Sequence, residues 1–163
     1  MDAEPAGSAL RTERRMLSSR LSSTEVAWII ARTGENGDIV TPERFSQYVN
    51  EALEDIPPEL REKMDNVEIF VEEIADPETL DSLAIESSLE LLGLYAGVPL
   101  TQRSFFQTVA LPDRIYLYRI PIMKAAGTRD GIVDKIREVV IHEVGHHFGF
   151  SDAELSRMKG RSG

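Results

Sequence analysis

Cysteine is absent from these 163 residues, which excludes disulfides and every metal site built on thiolate. A metal of the zinc type can therefore be held only by histidine and carboxylate. Histidine is itself scarce: there are three, all between positions 142 and 147. No stretch approaches the roughly 18 consecutive apolar residues of a membrane-crossing helix. The basic patch around Arg14 and Arg15 leads into serines, and Val26 to Ala31 is too short for the apolar centre of a signal peptide. These absences predict a soluble, cytoplasmic protein with no membrane partner. No internal repeat or low-complexity tract occurs.

What is present suits a single domain with a core of its own, needing no staples. The formal net charge is -10 and unevenly distributed. Residues 1–36 balance five acids with five bases, residues 37–100 hold sixteen acids against three bases, and residues 101–163 hold seven acids against ten bases. An acidic middle argues against nucleic acid as a partner, because phosphate contacts need clustered Lys and Arg. It favours basic peptide segments if it borders a cleft, although a solvated helix face that keeps the protein soluble is the commoner use of such a charge run.

The informative stretch is His142-Glu143-Val144-Gly145-His146-His147-Phe148-Gly149-Phe150-Ser151-Asp152. Residues four apart on a helix share a face, so His142 and His146 can present two imidazoles to one point. Glu143 projects beside the pair and can reach a water without becoming a ligand. Gly149 can adopt the left-handed conformation that ends a helix and turns the chain back, and Asp152 lies where that turn can return a third ligand. Three protein ligands with one open position is the pattern of a catalytic zinc site. His147 adjoins the pair but points about 100° away, so it reads as a residue that supports a ligand from behind or packs in the core, and not as a ligand.

Along the rest of the chain, residues 1–40 read as an N-terminal extension, partly disordered, with a short helix over Thr24 to Arg32; residues 41–163 form the domain. Thr41-Pro42 is a helix start, and Phe45, Tyr48, Val49, Ala52 and Leu53 keep helical spacing until Pro57-Pro58. Glu59 to Asp65 adds a turn of helix. Val67, Ile69 and Val71 alternate with Glu68, Phe70 and Glu72, which predicts a strand with one buried face. Glu78 to Glu90 is an acidic connector with room for a helix, Leu91 to Val98 a short edge strand, and Pro99 to Pro112 a loop. Ile115 to Ile122 reads as the best strand, ended by Pro121 and the Gly127 loop. The last long element is a helix from Asp130 to Phe148 with Ile132, Val133, Ile136, Val140, Val144 and Phe148 as its buried stripe, followed by one or two helical turns over 152–159. The fold class expected is α+β.

The segments TPERFSQYVNEALEDIPPELREKMDNVEIFVEE, LLGLYAGVPLTQRS, LPDRIYLYRIPIM and HEVGHHFGFSDAEL together resemble the minimal zincin-like metallopeptidase family of small bacterial proteins, over roughly Thr41 to Lys159. The spacing H-E-x-x-H-x-x-G-x-x-D is also similar to that of metzincin proteases, with Asp152 in place of their usual third histidine. The resemblance implies a compact zincin fold with a small mixed sheet of three to four strands, a backing helix and an active-site helix. It implies one Zn²⁺ ion held by His142, His146 and Asp152, Glu143 as general base, and peptide or unfolded protein as substrate. The extra negative charge of Asp152 predicts slow turnover or an alkaline optimum. The alternative is a catalytically weak or inactive metal-binding interaction protein. Oligomeric state is left open by the sequence.

Overall fold

The computed structural model describes residues 40–97 and 112–159; the readings made for residues 1–39, and all but the end of the expected Pro99 to Pro112 loop, lie outside them. The first helix, α1 (Pro42–Glu54), starts where the threonine and proline predict. Thr41 Oγ1 accepts a hydrogen bond from the Arg44 N–H at 3.2 Å, and Pro42 occupies the first turn, where a missing N–H costs nothing. Phe45, Tyr48, Val49 and Ala52 are its buried stripe. At its far end Arg61 donates to the carbonyls of Leu53, Glu54 and Ile56, groups that the end of a helix leaves without intrahelical donors. Pro58 then opens the short α2 (Pro58–Arg61), extended by a 3-10 turn over Glu62–Met64.

Strand β1 (Val67–Glu72) alternates as expected: Val67, Ile69 and Val71 turn towards the core, while Glu68, Phe70 and Glu72 are exposed. A short helix follows, α3 (Pro77–Ser82), capped by Asp76. Strand β2 (Gly93–Ala96) and strand β3 (Asp113–Tyr118) complete a mixed sheet of order β1-β3-β2. β3 is central, parallel to β1 with Ile69 opposite Ile115, and antiparallel to β2 with Tyr95 opposite Ile115. Ile115 and Leu117 point into the main core, formed with α1 and the long helix below. Tyr118 packs on the other face against Ala75 and Leu80, with Tyr116 and Leu94 beside it. The central strand is thus covered on both sides, as its continuous apolar character requires.

The expected strand from Ile115 to Ile122 is corrected here. β3 begins two residues earlier, at Asp113, and ends at Tyr118; Arg119–Ala126 is a helix, α4. Pro121 does not end a strand but sits in the first helical turn, where proline is tolerated. Ile120, Pro121, Ile122 and Met123 are all buried. Four consecutive buried positions show no apolar period, so this stretch cannot be told from a buried strand by its sequence.

Helix α5 (Arg129–His147) is capped by Thr128, whose Oγ1 accepts from the Gly131 N–H at 3.1 Å. Ile132, Ile136, Val140 and Val144 are buried as the periodicity predicts, and Val139 and Ile141 join them on its flanks. A final helix, α6 (Asp152–Lys159), follows. No described helix is long and apolar enough to cross a membrane.

Two polar contacts tie this frame together. Arg119 forms a two-pronged ion pair with Glu73, at 2.7 and 2.5 Å, and donates to the Val40 carbonyl at 2.8 Å, joining the ends of β1 and β3 to the entry of α1. Both side chains are largely shielded, 12% and 19% exposed, so Arg119→Ala strands a carboxylate. A loss of about 3 kcal/mol in unfolding free energy is expected, read from urea denaturation. Asp76 Oδ1 accepts from the Thr79 N–H at 2.9 Å and Oδ2 from the Thr79 hydroxyl at 2.6 Å, and these bonds hold its carboxyl below its ordinary 3.8. A lowered folded-state value means that the cap stabilises above about pH 3.8 and loses this contribution as pH falls through the folded value. Asp76→Ala should therefore cost about 1 kcal/mol near neutral pH, and the gap between its denaturation midpoint and that of the wild type should narrow in acid.

Candidate metal centre

The end of α5 is built to turn the chain through a tight reversal. Gly149 has φ +82°, a region that glycine enters without steric penalty. The Gly149 N–H bonds to the His146 carbonyl at 3.1 Å and the Phe150 N–H to the Gly145 carbonyl at 2.9 Å, the paired closure of a Schellman motif. Ser151 then caps α6 reciprocally with Glu154: the Ser151 N–H donates to Glu154 Oε2 at 2.8 Å, and the Glu154 N–H reaches Ser151 Oγ at 3.4 Å. This capping box sets Asp152 in the first turn of α6. The helix is held against α5 by Leu155, which is buried where Gly145 offers no side chain; a Cβ at Gly145 would stand 2.1 Å from Leu155 Cδ2.

These devices bring His142, His146 and Asp152 together, with one donor atom from each lying within 4.8 Å of the others. His146 Nε2 is 3.2 Å from Asp152 Oδ1, and the two imidazoles meet edge to face with centroids 4.3 Å apart. Donors on a tetrahedral ion with bonds of about 2.0–2.1 Å are separated by about 3.3 Å. The His146–Asp152 pair has that spacing. Two nitrogens and one carboxylate oxygen also match the donor set of zinc in a chain without thiols. The cluster faces solvent: the Asp152 side chain is 83% exposed.

Protonation favours the same use. Burial pushes the His142 imidazole below its usual range, and positive charge at His146 and Lys159 adds to this, a shift towards the neutral form that a metal needs. Glu143 lies one residue on but turned towards the sheet. Burial pushes its carboxyl above the usual range, opposed by a hydrogen bond from the Tyr95 main chain and by His146. A cleft of about 310 Å³ runs beside them, bordered by Leu92, Gly93, Glu138, His142, Glu143 and Lys159. A second hollow of about 380 Å³, at the end of α1, contains none of the site residues. At the cleft margin Glu138 is held at 2.6 Å by Lys135 and at 3.4 Å by Lys159, and chiefly the Lys135 hydrogen bond keeps its carboxyl below the usual range.

Several participants escaped the sequence reading. Glu154 was signalled by the S-x-x-E pattern at 151–154, which marks a capping box. Tyr95 and Asp113 had no local signal. Tyr95 stacks on His147 with centroids 3.9 Å apart and donates its hydroxyl proton to the buried Asp113 at 2.8 Å. His147 therefore packs between the helix and the sheet, outside the cluster of three donors.

Comparison with known proteins identifies the family. No curated protein matches the chain. The sequence model of the zincin-like metallopeptidase family matches residues 64–161, starting later than the resemblance that begins at Thr41, so that α1 precedes the matched region. With the matched region covering more than half of the sequence, the chain belongs to the zincin-like metallopeptidase family.

Proposed function

We propose that the protein is a zinc-dependent peptidase in which His142, His146 and Asp152 hold one ion and Glu143 is the general base. The observation that carries the reading is the convergence of those three donors beside a sheltered carboxylate at the edge of a sheet. When bound, zinc would lower the pKa of its water towards about 7 and polarise the scissile carbonyl. Glu143 takes the proton from the attacking water and passes it to the leaving amine. A carboxyl raised by burial takes the proton from water more readily than an exposed one would, and the leaving amine, a stronger base than any carboxylate, then removes it.

The sheet supports a place for the substrate. Leu92 accepts from the Tyr118 N–H at 2.9 Å, so in the antiparallel alternation Gly93 and Tyr95 direct their main-chain groups away from β3; the Tyr95 N–H is taken by Glu143, which leaves Gly93 as the position offered to a peptide. Gly93 also borders the cleft. An extended peptide can lie along this edge and bond through its own main chain, giving affinity with little sequence selectivity. Unfolded or flexible polypeptide is the substrate class this favours. The protein acts in this reading without nucleic acid or membrane, in the cytoplasm.

The competing reading, a metal-binding interaction protein, uses the same ligands without turnover. Glu143→Gln separates the two: it should retain zinc after dialysis while cleavage of unfolded protein falls to background. Equal behaviour of wild type and variant would favour the interaction role. Asp152→Ala should weaken zinc binding beyond the roughly 10–100-fold typical of losing a partner outside the ligand set, measured by competition with a chromogenic chelator.

A further inference from the structure

Val139, Glu143 and His147 recur every four residues along α5 and so share one stripe of the helix. All three meet β2. At one end Gly93 approaches so closely that a Cβ there would stand 2.5 Å from Val139 Cγ1. At the other end the Tyr95 ring lies on His147, with planes 19° apart. Between these two contacts the Tyr95 main chain donates to the Glu143 carboxylate. The Tyr95 side chain is secured in turn: its hydroxyl donates to Asp113 Oδ2 at 2.8 Å, and Asp113, 4% exposed, belongs to the central strand. His147 Nε2 lies 3.9 Å from the same carboxylate oxygen.

Among the described residues β2 pairs with β3 alone and is four residues long, so the ladder between them holds it weakly. What fixes its distance from α5 is the pair of contacts that bracket Glu143. We propose that Tyr95 is a positioning residue for the general base: locked by Asp113 and stacked on His147, it holds β2 against α5 so that its N–H aims the Glu143 carboxylate into the cleft. It acts through the strand and touches neither metal nor substrate. The inference rests on the peptidase reading for its consequence in turnover, but the geometry it invokes is independent of cleavage.

The test uses the full chain loaded with zinc. Tyr95→Phe keeps the ring and its stack and removes only the hydroxyl. It should lower kcat by about tenfold, in the range known for partners that orient functional groups, with KM and zinc content unchanged. Asp113→Ala should reproduce the loss, whereas Asp113→Asn, which keeps an oxygen acceptor for the hydroxyl, should restore most of the rate. In parallel, hydrogen exchange at the Tyr95 amide should accelerate in Tyr95→Phe and Asp113→Ala and stay slow in Asp113→Asn. A wild-type kcat in Tyr95→Phe, or a change confined to KM, overturns the assignment, as does unaltered exchange at Tyr95. If the wild type cleaves nothing, the peptidase reading fails and the exchange measurement alone decides the positioning role.

Discussion

The reversal of the chain between α5 and α6 is the constraint on which the site depends. His142 and His146 share a helix face by periodicity alone, but Asp152 belongs to another helix and must be carried back. Three local features do this in eleven residues: the positive φ of Gly149, the reciprocal cap of Ser151 and Glu154, and the seating of Leu155 on Gly145. Each is short-range, so the cluster of three donors is assembled with little dependence on the rest of the molecule. The large core serves a different end. It keeps α5 rigid, because Val140, Ile141 and Val144 are fully buried immediately around the motif, and a buried helix keeps its side chains in fixed rotamers.

The sheet contributes the second half of the site. A central β3 covered on both faces leaves β2, among the described residues, as an edge strand, and the absence of a side chain at Gly93 lets that edge come near enough to α5 for a main-chain hydrogen bond to reach Glu143. The result is a division of environments over a single turn of helix. The donor cluster is open to solvent, whereas the carboxylate is sheltered by the strand. The same segment of chain can therefore hold an imidazole, that of His142, whose affinity for a proton is lowered and a carboxyl, that of Glu143, whose affinity is raised.

Much of this was legible in the residues. The helical spacing of the histidines, the threonine and proline before α1, and the alternation in β1 are short-range patterns, and each appears in the structure where the sequence puts it. The failure at α4 has a definite cause: Ile120 to Met123 are four consecutive buried positions, so neither a period of two nor one of 3.6 survives, and proline in a first helical turn looks like a terminator. The Tyr95, Asp113 and His147 cluster was illegible for another reason. It joins residues from β2, β3 and α5 that meet only after the sheet has formed, and nothing near any one of them announces the others. His147 could be read as pointing away from the donor pair, but not onto what.

The account stands on the identity of the ligands. X-ray absorption at the zinc edge, combined with anomalous diffraction from crystals of the metal-loaded protein, tests it most directly. It predicts one ion bound by the imidazoles of His142 and His146, a carboxylate oxygen of Asp152 and an exchangeable solvent oxygen. A fourth protein side chain in the last position, or an ion bound without Asp152, would contradict it.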